Sequence, residues 1–397
     1  MRWADAELGS VATPRGELRL TLGVGSGLAQ RRGDAPGLAW AVTDRGPNLH
    51  VSDAVGLYGL DHLAPLMELP GAKIMPRRDV GPEIVRLKTS KGAVTLMQRL
   101  PLKTKDGRML SGLPLPGDAR AAMEPVFGID GEPLGVDPLG VDPEGIAAMA
   151  DGSFWVAEEY GPSLMKVEAD GSVMLRLMPE GRKLKAPGMK VRDSLPAIAA
   201  KRRLNRGFEA VTLSEDERLL HVAFQSALTE AGQPSRIVRF WTLDAQTGEF
   251  LAQHLYRFDK PETFLRDAAK KPVDIEDLKI GDLACVGPGR LIVLERIRFT
   301  TKLYVVKLAD EDATPRRWLE PDRPLESFDR KELEKRGLSL LKKRLVLSSD
   351  DHPTIGPDIE GVAALSPTEL MLVSDNDFGV LGARTGFWRV TSDKPFR

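Results

Sequence analysis

The stretch Asp142-Pro143-Glu144-Gly145-Ile146-Ala147-Ala148-Met149-Ala150-Asp151-Gly152-Ser153-Phe154-Trp155-Val156-Ala157-Glu158-Glu159-Tyr160 decides the fold. An acidic phrase opens an apolar run, Asp151-Gly152 offers the positive φ of a tight turn, and a second apolar run ends in a polar cluster. That order reads as a β-hairpin. The phrase returns as Gly207-Phe208-Glu209-Ala210-Val211, Asp274-Ile275-Glu276-Asp277-Leu278 and Asp358-Ile359-Glu360-Gly361-Val362, with a copy lacking acid at Gly25-Ser26-Gly27-Leu28-Ala29. Each is followed by an apolar run ending in polar residues: Thr43-Asp44-Arg45, Glu158-Glu159-Tyr160, Gln225-Ser226, Glu295-Arg296 and Ser374-Asp375-Asn376-Asp377.

Five copies of one two-strand signature imply a repeat architecture. Glu144, Glu209, Glu276 and Glu360 are spaced by 65, 67 and 84 residues, and Ser26 precedes Glu144 by 118, an interval with room for a sixth unit. The expectation is an all-β chain forming a single β-propeller domain over residues 1–397, with five or six blades. A strand near residues 17–22 is expected to complete the last sheet and close the ring, which removes exposed sheet edges. Helical spacing is confined to residues 261–270 and 329–341, read as insertions on one rim.

Composition narrows the function classes. Lys plus Arg number 56 against 57 Asp plus Glu, so no global field points to nucleic acid or an anionic membrane surface as partner. The single cysteine, Cys285, excludes an intramolecular disulfide, its apolar neighbours suggest a buried thiol, and no Cys/His spacing suits zinc. No run reaches the roughly 18 apolar residues of a membrane span. The first ten residues carry Asp5 and Glu7 and no apolar segment, so no signal peptide is expected in the chain as written. There is no G-x-S-x-G elbow and no P-loop.

In a propeller the first strand of each blade lines the axis, so equivalent positions meet there. Carboxylates brought together this way need either protons or a divalent cation. The candidate ligands are Asp44, Glu144, Glu158, Glu209, Glu276, Glu295, Glu360, Asp375 and Asn376, with Asn205 and Gln225 as neutral supplements. All are hard oxygen donors, which suits Ca²⁺ ahead of Mg²⁺ and argues against softer metals. Each acid taken alone reads equally as a turn cap. Glu144, Glu159 and Tyr160 are the candidate catalytic groups, Tyr160 also reading as a wall residue. Arg45, Arg206, Arg296 and Arg298 are candidates for binding an anionic substrate, or else counter-charges to the acids.

The phrases at residues 142–146, 154–162 and 358–361, the cluster at 374–377, and Asn205-Arg206-Gly207-Phe208-Glu209, Val293-Leu294-Glu295-Arg296 and Val42-Thr43-Asp44-Arg45-Gly46 together resemble the phytase-like domain family named for esterase-like activity of phytase. The resemblance spans nearly the whole chain. Ala210 and Asp277 stand where the family more often has glycine. The resemblance implies a propeller, an esterase-like or phytase activity, and export in bacteria if a leader precedes this chain. The leading expectation is a calcium-dependent hydrolase of small phosphate esters acting as a monomer. A calcium-dependent lactonase or carboxylic esterase, and a non-catalytic binding propeller with structural calcium, are the alternatives.

Overall fold

The structure, a computed structural model, describes residues 1–117, 123–228, 234–320, 322 and 325–396. Five sheets follow one another along the chain, antiparallel except for two strands added in parallel to the second. The first comprises Gly27–Ala29, Leu38–Val42, Glu83–Ser90 and Ala93–Pro101. The second runs Pro143–Ala148, Phe154–Glu158, Ser163–Val167 and Ser172–Pro179, extended by Lys190–Leu195 and Lys103–Thr104. The third is Phe208–Leu213, Leu219–Phe224, Ile237–Asp244 and Phe250–Arg257, and the fourth Lys279–Gly287, Arg290–Arg296, Thr301–Lys307 and Lys343–Ser348. The fifth has three strands, Ile359–Ser366, Glu369–Ser374 and Phe387–Thr391. The protein is thus mostly β, as the alternation of apolar runs and glycine turns indicates.

The first strand of each sheet packs against the first strand of the next, and that of the fifth against that of the first. Their approach is close enough to dictate residue size. A Cβ on Gly27 would lie 2.8 Å from the Gly145 Cα, and one on Gly145 would lie 2.7 Å from the Glu209 carbonyl oxygen. Gly27 and Gly145 therefore have no room for any side chain where these backbones meet. Between the sheets lie buried apolar layers, such as Phe208, Phe224, Trp241 and Phe250, whose rings meet edge-on or tilted at 4.7 to 5.5 Å. Edge-on pairing adds to the stabilisation from burial alone.

Two expectations about the ring change. Residues 17–21 do not join the last sheet: Gly16–Thr21 pairs with Glu7–Thr13 in a separate hairpin. Its Leu18 and Leu20 bury against Leu49, Val51, Leu60 and Leu63, so local pairing and this satellite core outcompete the distant sheet edge. The long first interval contains a three-stranded sheet of Leu49–His50, Lys73–Ile74 and Val126–Phe127, with the helix Val51–Tyr58. Val51, Ala54, Val55 and Tyr58 carry helical spacing, and Gly59, at φ 70°, ends the helix by donating its N–H to the Val55 carbonyl at 3.1 Å. The helical segments at the expected rim positions are short: Pro261–Thr263, Leu265–Ala268 and Arg330–Lys335, the last capped by Asp329, which accepts from the Glu332 N–H at 2.8 Å.

Candidate functional site

The first strands of the second, third, fourth and fifth sheets each carry a β-bulge at the same place, skipping Glu144, Glu209, Gly281-Asp282 and Glu360 in their ladders. A bulge leaves the extra residue out of the pairing and re-aims its side chain. Four phrases therefore bend at one level of the ring, and three of them deliver a glutamate there.

Strand alternation sorts the acids at the ends of the neighbouring strands. Glu158 is wholly buried away from that level: its carboxylate accepts from the Gly161 N–H at 2.9 Å and the Tyr160 N–H at 2.8 Å, and pairs with Arg176 at 3.0 Å. Glu295 occupies the equivalent place and is bound by Tyr256, Lys343 and the Asp259 N–H. Neither has a carboxylate oxygen to spare, so both leave the ligand set. The next residues, Glu159 and Arg296, face the other way.

On one side of the ring acids dominate. Asp44, Asp142 and Glu144 each place an oxygen within 4.8 Å of the others. Oxygens on opposite sides of a bound Ca²⁺ lie up to about 5 Å apart, so the spacing fits such an ion. Around them Glu159 Oε2, Glu209 Oε2, Gln225 Oε1 and Asp375 Oδ1 are buried without hydrogen-bond partners, and the Asp142 carboxylate, also without a hydrogen bond, has an ion pair with Arg45 at 3.2 Å. Buried oxygens rarely go unsatisfied unless something else supplies the positive charge. Burial first, then the neighbouring carboxylates, holds Asp44, Glu144, Glu159 and Asp375 well above the usual carboxylate range. Glu209 is pushed to about 8 by burial and then by Glu360.

The opposite side is basic. Register places Lys279 across from Arg296, whereas in the second sheet the Glu159 N–H donates to the Asp142 carbonyl at 3.0 Å. The acid pair Asp142/Glu159 of the second sheet is therefore replaced by Gly207/Gln225 in the third, Lys279/Arg296 in the fourth and Asp358/Asp375 in the fifth. Arg206 joins this face, donating to the Leu278 carbonyl at 2.9 Å. Arg296 pairs with Glu360 and, at 3.5 Å, with Asp358. Repulsion from Arg296, followed by burial, lowers the Lys279 pKa.

Other expected site residues are placed elsewhere. Glu276 sits in the turn Ile275–Asp277, half its side chain exposed at 52%, paired with Arg203 at 2.8 Å. Asp274 caps that turn by accepting from the Glu276 N–H at 2.7 Å, so the acidic phrase is a capped turn ahead of the true repeat. Arg45 is buried, its terminal nitrogens held by Glu124 and Asn205 at 2.7 Å each and its Nε ion-paired with Asp142 at 3.2 Å, so it acts as counter-charge to the acids. This also spends the Asn205 side-chain oxygen. The Tyr160 hydroxyl donates to the Gly112 carbonyl at 2.8 Å, which makes it a wall residue. Asn376 ties its amide to Thr21 Oγ1 and the Leu22 carbonyl, at 3.1 and 3.2 Å, leaving only its Oδ1 without a partner. Arg298 lies exposed on the rim, 3.5 Å from Asp358.

Asp142, Lys279 and Asp282 are the residues that the acidic phrases did not single out. Asp282 takes the small-residue position of the repeat in the fourth sheet. Its buried carboxylate accepts from the backbone N–H groups of Leu283 at 2.8 Å, Val362 at 2.8 Å and Leu28 at 3.2 Å. It thereby ties three first strands together below the acids. Beyond it, past Ala147 and Ala284, lies a cavity of about 320 Å³ where half-buried Cys285 sits.

Comparison with known proteins places this site in context. The chain is 30% identical over 227 residues to an uncharacterized secreted protein of Arthroderma benhamiae, an alignment covering 52% of this chain and 43% of that protein. The chain thus spans less than half the length of that relative. Among solved structures it is similar to the Malassezia sympodialis allergen Mala s 1, with a TM-score of 0.36 and 11% identity over 96% of this chain and 81% of that one. It is also similar to the Dos1 propeller, with a TM-score of 0.27 and 10% identity over 68% and 50% of the two chains. No helix among the described residues is long and apolar enough to cross a membrane. The family model described as esterase-like activity of phytase matches residues 21–378, and the chain belongs to that phytase-like family.

Proposed function

We propose that this protein is a divalent-cation-dependent ester hydrolase, with calcium held by Asp44, Asp142 and Glu144 and phosphate esters as its substrates. The observation that carries the reading is the three-carboxylate cluster surrounded by buried oxygens that lack partners, facing a ring wall of Lys279, Arg296 and Arg206. A bound cation supplies Lewis-acid polarisation of the ester and lowers the pKa of a coordinated water. In this reading Glu159 takes a proton from attacking water, supported by its unpartnered Oε2 and by the Gly207 N–H that fixes its Oε1 at 3.2 Å. The basic wall orients the anionic part of the substrate. We read the five sheets as the blades of one closed propeller, supported by the cyclic packing of their first strands. The description of the Arthroderma relative favours an exported protein.

A second reading, hydrolysis of a lactone or carboxylic ester, is favoured by the pairing of Arg296 with Glu360 and Asp358, which reduces its demand for an anion. The test is metal analysis of protein purified without chelator, then turnover of a phosphomonoester and a carboxylic ester panel before and after chelation. Chelator-sensitive phosphate release supports the first reading and chelator-sensitive carboxylic ester cleavage the second. Absence of metal and of any turnover contradicts both and leaves a binding protein.

A further inference from the structure

The charge pattern around the ring says more than that a cation fits one side. Successive sheets present Asp142/Glu159, Gly207/Gln225, Lys279/Arg296 and Asp358/Asp375 at matched positions, so charge inverts in the fourth sheet alone. Internal ion pairing consumes the inversion only at Arg296, which meets Glu360 and Asp358. Among the described residues, no carboxylate forms an ion pair with Lys279 or Arg206, and the Lys279 ammonium makes no hydrogen bond. Arg296, 4% exposed, spends its terminal nitrogens on Glu360, Asp358 and the Ile297 carbonyl, while its Nε is buried without an acceptor. Three cations gathered from the lead-in of the third sheet and two strands of the fourth repel one another. An anion seated between them relieves that repulsion and gives the Arg296 Nε its missing acceptor.

We propose that Lys279, Arg206 and Arg296 form a subsite for a tetrahedral oxyanion, with Lys279 as the residue that makes a phosphoryl group a better ligand than a planar carboxylate. The subsite deepens the phosphate-ester reading and rests on it for its catalytic meaning, but it binds its anion without requiring the metal. Arginine presents a planar fork, whereas the lysine ammonium donates in three directions from a flexible stem. Their convergence from different strands suits an acceptor with oxygens in more than one plane.

The test is calorimetric titration of the full chain, metal-free and at fixed ionic strength, with inorganic phosphate, sulfate and acetate, and separately with Ca²⁺. Wild-type protein is expected to bind phosphate and sulfate ahead of acetate. Lys279→Met is expected to weaken phosphate about tenfold or more, as loss of a charge-assisted donor implies, and Lys279→Arg to recover part of it. Calcium affinity in Lys279→Met is expected to stay within about twofold, since no new carboxylate is exposed. If Lys279→Met fails to fold, Arg206→Met replaces it with the same expectation. Equal phosphate affinity in wild type and variant, or acetate bound as well as phosphate, overturns the subsite. Phosphate binding that depends on Lys279 in a chain that binds no calcium leaves the subsite standing and removes the metal reading. Calcium binding with no phosphate binding does the reverse.

Discussion

Glu159 and Arg296 occupy the same place in two sheets, one residue beyond a buried glutamate at the end of the second strand, and carry opposite charge. Their preceding partners, Glu158 and Glu295, are both locked into structural networks. Two adjacent positions thus do different work: the first anchors the end of the strand, and the second faces the site.

That division predicts separable effects. Glu158→Gln is expected to lower stability by about 3 kcal/mol or more, because it leaves Arg176 buried against a neutral group, while calcium stoichiometry in the folded fraction is retained. Glu159→Gln is expected to do the opposite, keeping the melting temperature within a few degrees while weakening calcium through loss of a negative charge beside the ligand Asp142. Thermal melts paired with calcium titration decide the matter, and equal effects in both assays contradict the division.

Asp282 is predicted to hold the first strands of the first, fourth and fifth sheets together. Asp282→Gly removes an acceptor from three backbone N–H groups and is expected to cost about 3 kcal/mol or more. Asp282→Asn, which keeps one acceptor oxygen, is expected to cost less. Denaturant unfolding measures both, and a neutral Asp282→Gly variant contradicts the assignment.

Acid sensitivity is predicted at His221, which is not part of the carboxylate cluster. Burial, then the nearby His254, lowers His221 from 6.5 to about 4, and its Nδ1 lies 3.1 Å from Thr242 Oγ1. The unfolded chain takes up this proton before the folded one does. The stability linked to His221 is therefore fully present above about pH 6.5 and is lost as pH falls toward about 4, at most about 3 kcal/mol in total. His221→Asn is expected to flatten that limb of the stability profile in unfolding titrations between pH 4 and 7. An unchanged slope contradicts the assignment.

The legibility of the site in the sequence follows its charge. The second, third and fifth sheets announce themselves because Glu144, Glu209 and Glu360 each begin an apolar run. The fourth does not, because its phrase is Lys279-Ile280-Gly281-Asp282 and an acidic look-alike, Asp274-Ile275-Glu276-Asp277, precedes it as a capped turn. Distance to the following cluster was a usable signal. Glu144 precedes Glu159 by 15 residues, Glu360 precedes Asp375 by 15 and Gly281 precedes Arg296 by 15, whereas Glu276 precedes Arg296 by 20. The engagement of Arg45 was not legible, since its partner Glu124 comes from the long first interval, which has no counterpart in the other repeats. Nor could the sequence show that residues 7–21 close on themselves instead of on the last sheet.

The most direct measurement is calcium titration of metal-free protein, wild type against Asp142→Asn, followed by calorimetry at neutral pH. Asp142 is the buried member of the three-carboxylate cluster, with neither oxygen hydrogen-bonded. Saturable binding in the wild type and an affinity at least about tenfold weaker in the variant, as loss of one charged oxygen ligand implies, are the predicted results. Wild-type protein that binds no divalent cation, or a variant that binds it equally well, would contradict the account.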